Sequence, residues 1–190
     1  MPESSLLQRS ALRKQLRARR QNLSEIQQRQ AARNLYKNLA QQPMFQRARR
    51  IAVYLANDGE ISPQELMQTA MEQGRQVYVP VLAPWPHHAM VLQRVSEQTC
   101  WEANRFGIQQ PKWDTAGQAS VWSLDMLCMP LVGFDAEGGR LGMGGGFYDR
   151  MLAPLLEHSA MRRPYLVGLA HACQQVEHIP AQQWDVPLDL

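Results

Sequence analysis

Cysteine and long apolar runs are both scarce in this 190-residue chain. The three cysteines, Cys100, Cys128 and Cys173, form no CxxC pair, which excludes a disulfide framework or a zinc knuckle as the basis of the fold. The longest apolar run, residues 126–134, is far shorter than the roughly 20 residues that span a bilayer. The first ten residues lack the apolar stretch of a secretory signal. We therefore expect a cytoplasmic protein without a membrane segment.

Acidic residues are nearly missing from the first 50 positions, which hold 12 of the 20 Lys and Arg residues and only Glu3 and Glu25 as acids. Three interpretations are open: a solvated helical face that docks on an acidic body, a site for a small anion, or a nucleic-acid surface. The segment has only Tyr36 and Phe45 as aromatic residues and no RNA-binding motif, which argues against nucleic acid. A phosphorylated small ligand is favoured.

The length is typical of one α/β core, so we predict a single domain over residues 1–190. Caps, breakers and apolar periodicity predict helices at 6–21, 24–41, 62–74 and 147–158, and strands at 51–55, 76–82, 90–95, 126–132 and 165–170. The strand, helix, strand order from residue 51 to residue 82 is a βαβ unit. This order predicts a three-layer α/β sandwich with a mainly parallel sheet and a basic pair of N-terminal helices.

Six of the 12 glycines fall within residues 138–146, directly before a predicted helix. Such a cluster is typical of a backbone that turns with positive φ or approaches a ligand closely. A helix N-terminus offers amide N–H groups and a positive dipole end, so the segment is suited to bind phosphate. It matches neither the P-loop nor the dinucleotide fingerprint. Arg140 is suited to pair with phosphate, and Asp149 to hold the Mg²⁺ that accompanies ATP.

The same segment resembles the signature of the 5-formyltetrahydrofolate cyclo-ligase family, also called methenyltetrahydrofolate synthetase. The match covers Phe134-Asp135 and Gly139-Arg140-Leu141-Gly142-Met143-Gly144-Gly145-Gly146-Phe147-Tyr148-Asp149-Arg150. Further landmarks in the same order and spacing are Arg9 to Arg13, Gly59-Glu60-Ile61 and Trp184-Asp185-Val186-Pro187. The resemblance therefore spans nearly the whole chain.

The resemblance implies a ribose-isomerase/CoA-transferase-like superfold and an enzyme that uses MgATP to convert 5-formyltetrahydrofolate to 5,10-methenyltetrahydrofolate, ADP and phosphate. In the family mechanism the formyl oxygen attacks the γ-phosphate, and N10 of the folate then closes the ring as phosphate leaves. Such chemistry needs positioning and charge neutralisation rather than a protein nucleophile. We accordingly expect ATP and Mg²⁺ as cofactors, a small-molecule substrate as the partner, and a monomer.

Position by position, the resemblance also assigns site residues. ATP would contact Arg9, Arg13, Arg140, Leu141, Gly142, Met143, Gly144, Gly145, Gly146, Phe147 and Tyr148. The folate would contact Leu55, Glu60, Met143, Gly144, Gly145, Gly146 and Phe147. Catalysis would depend on Arg140 and Tyr148, and Mg²⁺ would be held by Asp149 and Asp185.

The chain also departs from the family pattern. Arg9 stands where the family often has Lys, and Phe147 where it often has Tyr. The family usually continues beyond the Trp-Asp motif in a further extended segment, whereas this chain ends at Leu190. His87 and His88 fit no metal-binding pattern.

Two other functions are open from the residues alone. One is an ATP-dependent ligase or kinase that acts on a different small anion. The other is a non-enzymatic RNA-associated or regulatory protein that uses the basic N-terminal helices.

Overall fold

The computed structural model describes residues 2–86, 89–157, 163–180, 182 and 185–190. His87, His88, His158 and Trp184, which entered the sequence predictions, lie outside the described residues. The described α-helices are α1 (Pro2–Gln21), α2 (Glu25–Ala40), α3 (Pro43–Arg47), α4 (Gln64–Glu72) and α5 (Phe147–Glu157). None of them is long and apolar enough to cross a membrane.

The described strands are β1 (Arg50–Ala52), β2 (Gln76–Leu82), β3 (Met90–Val95), β4 (Trp101–Ala103), β5 (Gln109–Pro111), β6 (Gln118–Ala119), β7 (Met126–Pro130), β8 (Gly133–Phe134), β9 (Arg140–Leu141) and β10 (Tyr165–Leu169). Six strands form one sheet in the order β10-β7-β1-β2-β3-β6. The first four are parallel, with Ile51 of β1 opposite Val77 and Met126. β3 and β6 extend the sheet antiparallel. The predicted α/β fold with a mainly parallel sheet is confirmed.

The sheet has a separate core on each face, because neighbouring residues of a strand point in opposite directions. On one face Ile51 packs with residues of α2, α3 and α4, among them Leu39 and Leu66. On the other face Ala52 packs with residues of α5, among them Leu152. The sheet between two helical layers is the three-layer arrangement that the sequence predicts.

Helix α1 contributes none of its described side chains to these two clusters. Its Leu16 belongs to a third cluster with Val132, Leu141 and Ile179, all beyond the end of β7. The helix also contacts the 3-10 turn Ala172–Gln174, which follows β10. Since β7 and β10 are parallel and both end on this side, α1 lies across the carboxyl ends of the parallel strands, where ligands bind in open α/β sheets.

Three strands end earlier than predicted. β1 ends at Ala52 rather than Leu55, β7 at Pro130 rather than Val132, and β10 at Leu169 rather than Ala170. Pro130 has no N–H to donate to a ladder. The N–H of Val132 instead bonds to the carbonyl of Leu141 at 2.7 Å, which directs the chain out of the sheet toward the glycine-rich segment.

Several helical bounds also differ from the predictions. α1 begins at Pro2 rather than residue 6, because proline is well accommodated in a first helical turn. Pro43 was expected only to end the preceding helix, but it also opens α3. α4 is shorter than the predicted 62–74, with Pro63 at its N-cap. The β4–β5 and β8–β9 hairpins had no sequence signal, since two- and three-residue strands have no measurable periodicity.

Candidate active site

One face of α1 carries the predicted ATP-binding arginines. Arg9, Arg13, Leu16 and Arg20 are spaced by four, three and four residues, so their side chains share one side of the helix. Arg9, Leu16 and Arg20 are buried. The face turned toward the strand ends is therefore largely cationic, and each arginine on it needs a polar partner.

The glycine loop, residues 142–146, connects β9 to the N-terminus of α5. Gly144 and Gly146 have φ of +97° and +65°, a conformation that other residues rarely adopt. The Arg13 Nε donates to the Gly142 carbonyl at 2.9 Å, and the Arg150 Nη2 donates to the Gly145 carbonyl at 2.9 Å. Two of the loop's carbonyl oxygens are thus bonded to guanidinium groups, which favours an anion at the loop.

A buried carboxylate organises the turn that precedes this loop. Asp135 accepts backbone N–H groups from Glu137, Gly139 and Ile179 at 2.8 to 3.0 Å. Burial alone would raise the pKa of Asp135, but the three N–H bonds outweigh burial and lower it. A Cβ at Gly139 would lie 2.5 Å from the Asp135 carboxylate, so only glycine permits this close approach. The turn thereby places Arg140 on β9.

Two ion pairs join the predicted phosphate-binding arginines to the predicted magnesium ligands. Arg9 Nη1 lies 2.8 Å from Asp185 Oδ2, and Arg140 Nη2 contacts Asp149 Oδ1. Burial lowers the pKa of Arg13, as does the positive charge of Arg9, whereas Asp185 and Asp149 act in the opposite direction. All five side chains therefore form one charge cluster, which carries one more positive than negative charge.

The turn after β1 holds the predicted folate ligand Glu60. The Glu60 Oε2 accepts the N–H of Asn57 at 3.1 Å, and burial raises the pKa of this carboxyl. Asp58 and Gly59 both have positive φ, +52° and +74°. The Nε2 of buried His171 lies 3.2 Å from the Gly59 carbonyl and donates to it, since a carbonyl can only accept. The turn is therefore fixed by contacts with other parts of the chain.

Asp58 is the centre of a second ionic network, between this turn and the end of α1. Its carboxylate accepts from Arg17 at 2.8 Å, from Arg20 at 2.7 Å, and from Gln21. The bond from Arg17, with those from Arg20 and Gln21, lowers the pKa of Asp58 to about 2, although burial opposes the shift. Asp58 thus remains ionised over the neutral range.

Tyr148, in the first turn of α5, is influenced by charged residues from both predicted substrate sites. Burial and the charge of Glu60 raise its pKa, while Arg140 lowers it. Burial and Glu60 likewise raise the pKa of Tyr54, whose hydroxyl donates to the Ile61 carbonyl. The predicted folate ligand Glu60 and Tyr148, next to the glycine loop, therefore share one electrostatic environment.

Several residues of this region were not identified from the sequence. Arg20 was only one of many basic residues, and Asp58 only part of a turn. The Phe106 ring is largely exposed and packs edge-on against Phe147, with the two ring centroids 6.5 Å apart. No local pattern marks these residues, because each acquires its neighbours through long-range packing. Leu55, a predicted folate contact, is partly buried and packs against the core cluster that contains Ile61.

The acids of the charge cluster fit one kind of metal binding. Within the described ranges, no group of three or more His, Cys, Asp or Glu side chains could hold a metal ion. Mg²⁺ usually takes one or two carboxylates beside substrate phosphates and keeps several waters. Asp149 and Asp185, both close enough to affect the pKa of Arg13, fit this mode rather than an all-protein cage.

These features define a class: α/β proteins that bind an anionic ligand with a glycine loop at the carboxyl ends of parallel strands. The model of the 5-formyltetrahydrofolate cyclo-ligase family matches residues 6–190. The chain therefore belongs to that family, as the resemblance in the sequence predicts.

Individual relatives agree with the family assignment. A 5-formyltetrahydrofolate cyclo-ligase from Haemophilus influenzae is 41% identical over 180 residues, which cover 95% of this chain and 94% of the relative. The enzyme of that name from Escherichia coli K12 is 37% identical over 173 residues, 91% of this chain and 93% of its own length.

Solved structures match the fold. The NMR structure of a 5,10-methenyltetrahydrofolate synthetase from Aquifex aeolicus has a TM-score of 0.79 and 30% identity, and the match covers 95% of this chain and 87% of that one. A synthetase from Mycoplasma pneumoniae has a TM-score of 0.69 at 23% identity, with 95% of both chains covered. The second likeness concerns the fold alone.

The ionic network around Asp58 predicts a pH dependence of stability. Because the pKa of folded Asp58 is about 2, its contribution is present above the ordinary carboxyl pKa of about 4 and is lost as the pH falls toward 2. Urea midpoints of wild type and Asp58→Asn should differ clearly at pH 6, and the difference should shrink as the pH falls from about 4 through about 2. Asparagine tolerates the positive φ, so the comparison isolates the charge. Glu25→Gln, at a 90% exposed side chain, is the control and should change neither midpoint. A constant difference at all pH values would contradict the assignment.

Proposed function

We propose that this protein catalyses the MgATP-dependent conversion of 5-formyltetrahydrofolate to 5,10-methenyltetrahydrofolate, with ADP and phosphate as products. The observation that carries the proposal is the glycine loop, which a chain of this family holds by a hydrogen bond from Arg13 of α1. Tyr148, directly after the loop, is also influenced by the charge of Glu60. Family membership favours this function over a ligase or kinase for another anion and over an RNA-associated role.

The proposed reaction has two steps. The formyl oxygen attacks the γ-phosphorus of ATP, and ADP leaves. N10 of the folate then attacks the formyl carbon and loses its proton, while phosphate departs with the former formyl oxygen. No protein nucleophile takes part, so the protein contributes by aligning two substrates and by neutralising the charge of the transferred phosphoryl group.

On the ATP side, the charge cluster would supply the neutralisation. Two of its three arginines already have an anionic partner: Arg9 has Asp185, and Arg140 has Asp149. When MgATP binds, each of these two guanidinium groups can exchange its carboxylate for a phosphate oxygen at little cost in desolvation, because one charge-assisted bond replaces another. Arg13, whose pKa is lowered by burial and by Arg9, gains most from an added anion.

The backbone of the loop would complete the ATP site. The phosphates would approach one continuous segment, which consists of Leu141, Gly142, Met143, Gly144, Gly145, Gly146, Phe147 and Tyr148. The positive φ of Gly144 and Gly146 lets this segment turn directly into the first turn of α5, whose dipole favours negative charge.

On the folate side, Glu60 would accept hydrogen bonds from the N–H groups of the pterin. Its partly desolvated carboxylate can bond more strongly than a hydrated one, because water competes less. Leu55 and the loop residues Met143 to Phe147 would form the surrounding wall. Since Met143 is largely exposed, it is available to a ligand.

Arg140 and Tyr148 are the residues that we propose for catalysis. The raised pKa of Tyr148 keeps its hydroxyl protonated at neutral pH, so that it can donate a hydrogen bond to an oxygen that gains negative charge. Arg140 contributes a fixed positive charge, since its Nε is anchored at 3.0 Å to the carbonyl of Val186. Asp149 and Asp185 would hold the Mg²⁺ of MgATP, which neutralises phosphate charge when bound.

Other properties have the same status as this proposal. We infer that residues 1–190 form one domain, that the protein is a cytoplasmic monomer, and that its sheet belongs to the ribose-isomerase/CoA-transferase-like superfold. The shared sheet of the described strands supports the first inference.

The activity can be tested by absorbance. The methenyl product absorbs near-ultraviolet light that the formyl substrate does not absorb. Purified protein with MgATP and 5-formyltetrahydrofolate should therefore produce a rising near-ultraviolet signal together with one ADP per product. Omission of ATP is the control. No product at high protein concentration would overturn the proposal.

The loop geometry predicts a specific sensitivity at Gly144. Gly144→Ala forces an L-residue to a φ of +97°, so the loop should shift, and ATP affinity should fall roughly tenfold or more, the value of one lost charge-assisted bond. Gly74→Ala is the matched control, because Gly74 has a φ of +70° in open space at the end of α4. Both variants should lose similar stability. Calorimetry should find weaker ATP binding only for Gly144→Ala. If Gly144→Ala bound ATP as tightly as Gly74→Ala, the loop would not be part of the ATP site.

The metal assignment is tested at Asp149. Asp149→Asn keeps the size of the side chain but removes its charge, so the Mg²⁺ concentration for half-maximal rate should rise about tenfold, in keeping with the loss of one of few ligands. Folate affinity without ATP should not change. Asp189→Asn, which breaks an Arg–Asp pair with Arg163 outside the cluster, is the control. If Asp149→Asn needed no more Mg²⁺ than the wild type, the metal assignment would be wrong, and Asp149 would serve only as the ion-pair partner of Arg140.

A further inference from the structure

Arg20 is the most deeply buried charged residue of α1, with no exposed surface. Its guanidinium does not belong to the charge cluster, and the proposed reaction assigns it no role. It nevertheless contacts three separate segments, which carry Asp58, Leu131 and Met143. Each of these segments borders the proposed active site.

The first segment is the turn that carries Glu60. The Arg20 Nε donates to the Asp58 carbonyl at 2.9 Å, and Nη2 donates to the Asp58 carboxylate at 2.7 Å. Asp58 has a φ of +52°, which costs a non-glycine residue free energy and persists only where other contacts hold it. The same turn lies directly on α1, because a Cβ at Gly59 would be 3.4 Å from the Arg20 carbonyl oxygen. Arg20 therefore fixes the backbone on which Glu60 is carried.

The second and third segments lead to the glycine loop. The Arg20 Nη1 donates to the carbonyl of Leu131, just beyond β7, at 2.9 Å. Its Nη2 lies 3.8 Å from the sulfur of Met143, within the loop. One planar group with five donors thus touches the turn on the folate side and the loop on the ATP side.

The charge of Arg20 also acts on Glu60, whose Oε1 lies 3.8 Å from Nη2. The ionisable groups that act on Glu60 or lie beside its turn are Arg20 from α1, Asp58 from the same turn, Tyr54 after β1, Tyr148 of α5 and His171 after β10. Burial lowers the pKa of His171, which favours its neutral form. Arg20 is the cation of this set. It favours the ionised form of Glu60 against burial and the negative charge of Asp58.

We propose that Arg20 is a positioning residue for the reaction: its guanidinium holds the Glu60 turn and the glycine loop at one fixed separation. This inference depends on the proposed function, because the formyl oxygen must meet the γ-phosphate across that separation. Small displacements between reacting groups reduce rates strongly. Stability alone would not require this residue, since buried ion pairs are often no more stabilising than apolar side chains of similar volume.

The test is a double-mutant cycle between Arg20 and Glu60. Arg20→Gln, Glu60→Gln and the double variant are compared by kcat and KM for 5-formyltetrahydrofolate at saturating MgATP. Arg20→Gln should lower kcat/KM roughly 10- to 100-fold, because the folate shifts relative to the phosphate. In the Glu60→Gln background the same change should raise KM no further and should lower only kcat. Independent, multiplicative effects on KM would overturn the proposal.

A pH profile separates positioning from a purely structural role. The acid limb of kcat/KM should move to higher pH in Arg20→Gln, because Glu60 loses its neighbouring cation, and should return in Arg20→Lys. Arg17→Gln is the matched control: Arg17 bonds the same Asp58 carboxylate at 2.8 Å, but 42% of its side chain is exposed. It should leave the acid limb in place. If Arg17→Gln moved the acid limb as far as Arg20→Gln does, the turn rather than Arg20 would determine the pH profile, and the proposal would be overturned.

The double-mutant cycle can still be interpreted if Arg20→Gln is unstable. Thermal melting identifies an unfolded Arg20→Gln, in which case Asp58→Asn replaces it in the cycle, since that change replaces the carboxylate bonded by Nη2 with a neutral amide. Non-additivity with Glu60→Gln is then still expected, and additivity overturns the inference. A wild-type protein without turnover contradicts the proposed function itself, whereas an active wild type with an additive cycle contradicts only the role of Arg20.

Discussion

The rest of the site depends on one constraint: on one face of α1, Arg9 and Arg20 are buried and Arg13 is partly buried. A guanidinium leaves water at low cost only where several acceptors replace its hydration. Arg9 donates to the carbonyl of Pro180, and Arg13 donates to the carbonyl of Gly142. Arg20 donates to one carbonyl in the turn after β1 and to another just beyond β7. These acceptors come from four segments far apart in the chain, so docking of one helix assembles them.

The same pairing prepares the charge cluster for an anionic ligand. Arg9 and Arg140 are each neutralised by an aspartate, while Arg13 bonds only a carbonyl among the contacts described for it. The unliganded protein thus avoids an accumulation of positive charge that would destabilise its fold. A ligand with several negative charges, accompanied by a cation for the aspartates, can replace both ion pairs together. Under the proposed function, this exchange would let one cluster suit both a stable fold and binding of MgATP.

Left-handed backbone conformations occur at both ends of this arrangement. Positive φ occurs at Asp58 and Gly59 in the turn, and at Gly144 and Gly146 in the loop. Glycine adopts such a φ readily, whereas Asp58 needs surrounding contacts to hold it, and Arg20 of α1 provides two of them. The topology also places the turn and the loop on one side of the sheet. The turn follows β1, and the chain reaches the loop from β7 through the β8–β9 hairpin. Since β1 and β7 are parallel, their carboxyl ends lie on the same side. Strand order brings the segments near each other, and the arginines set their separation.

The glycine density of residues 138–146, the βαβ order and the family motif were sufficient to predict the sheet type, the loop and the family, because these properties are encoded in local residue types and spacings. The partners of the arginines were not predictable in this way. Arg13 and Gly142 are 129 positions apart, and Arg9 and Asp185 are 176 apart. In the sequence, Arg20 cannot be distinguished from the other basic residues of its helix. Its contacts with Asp58 and Met143 exist only in the folded structure. A side chain's burial and pairing depend on which distant segments meet there, and only the tertiary structure decides that.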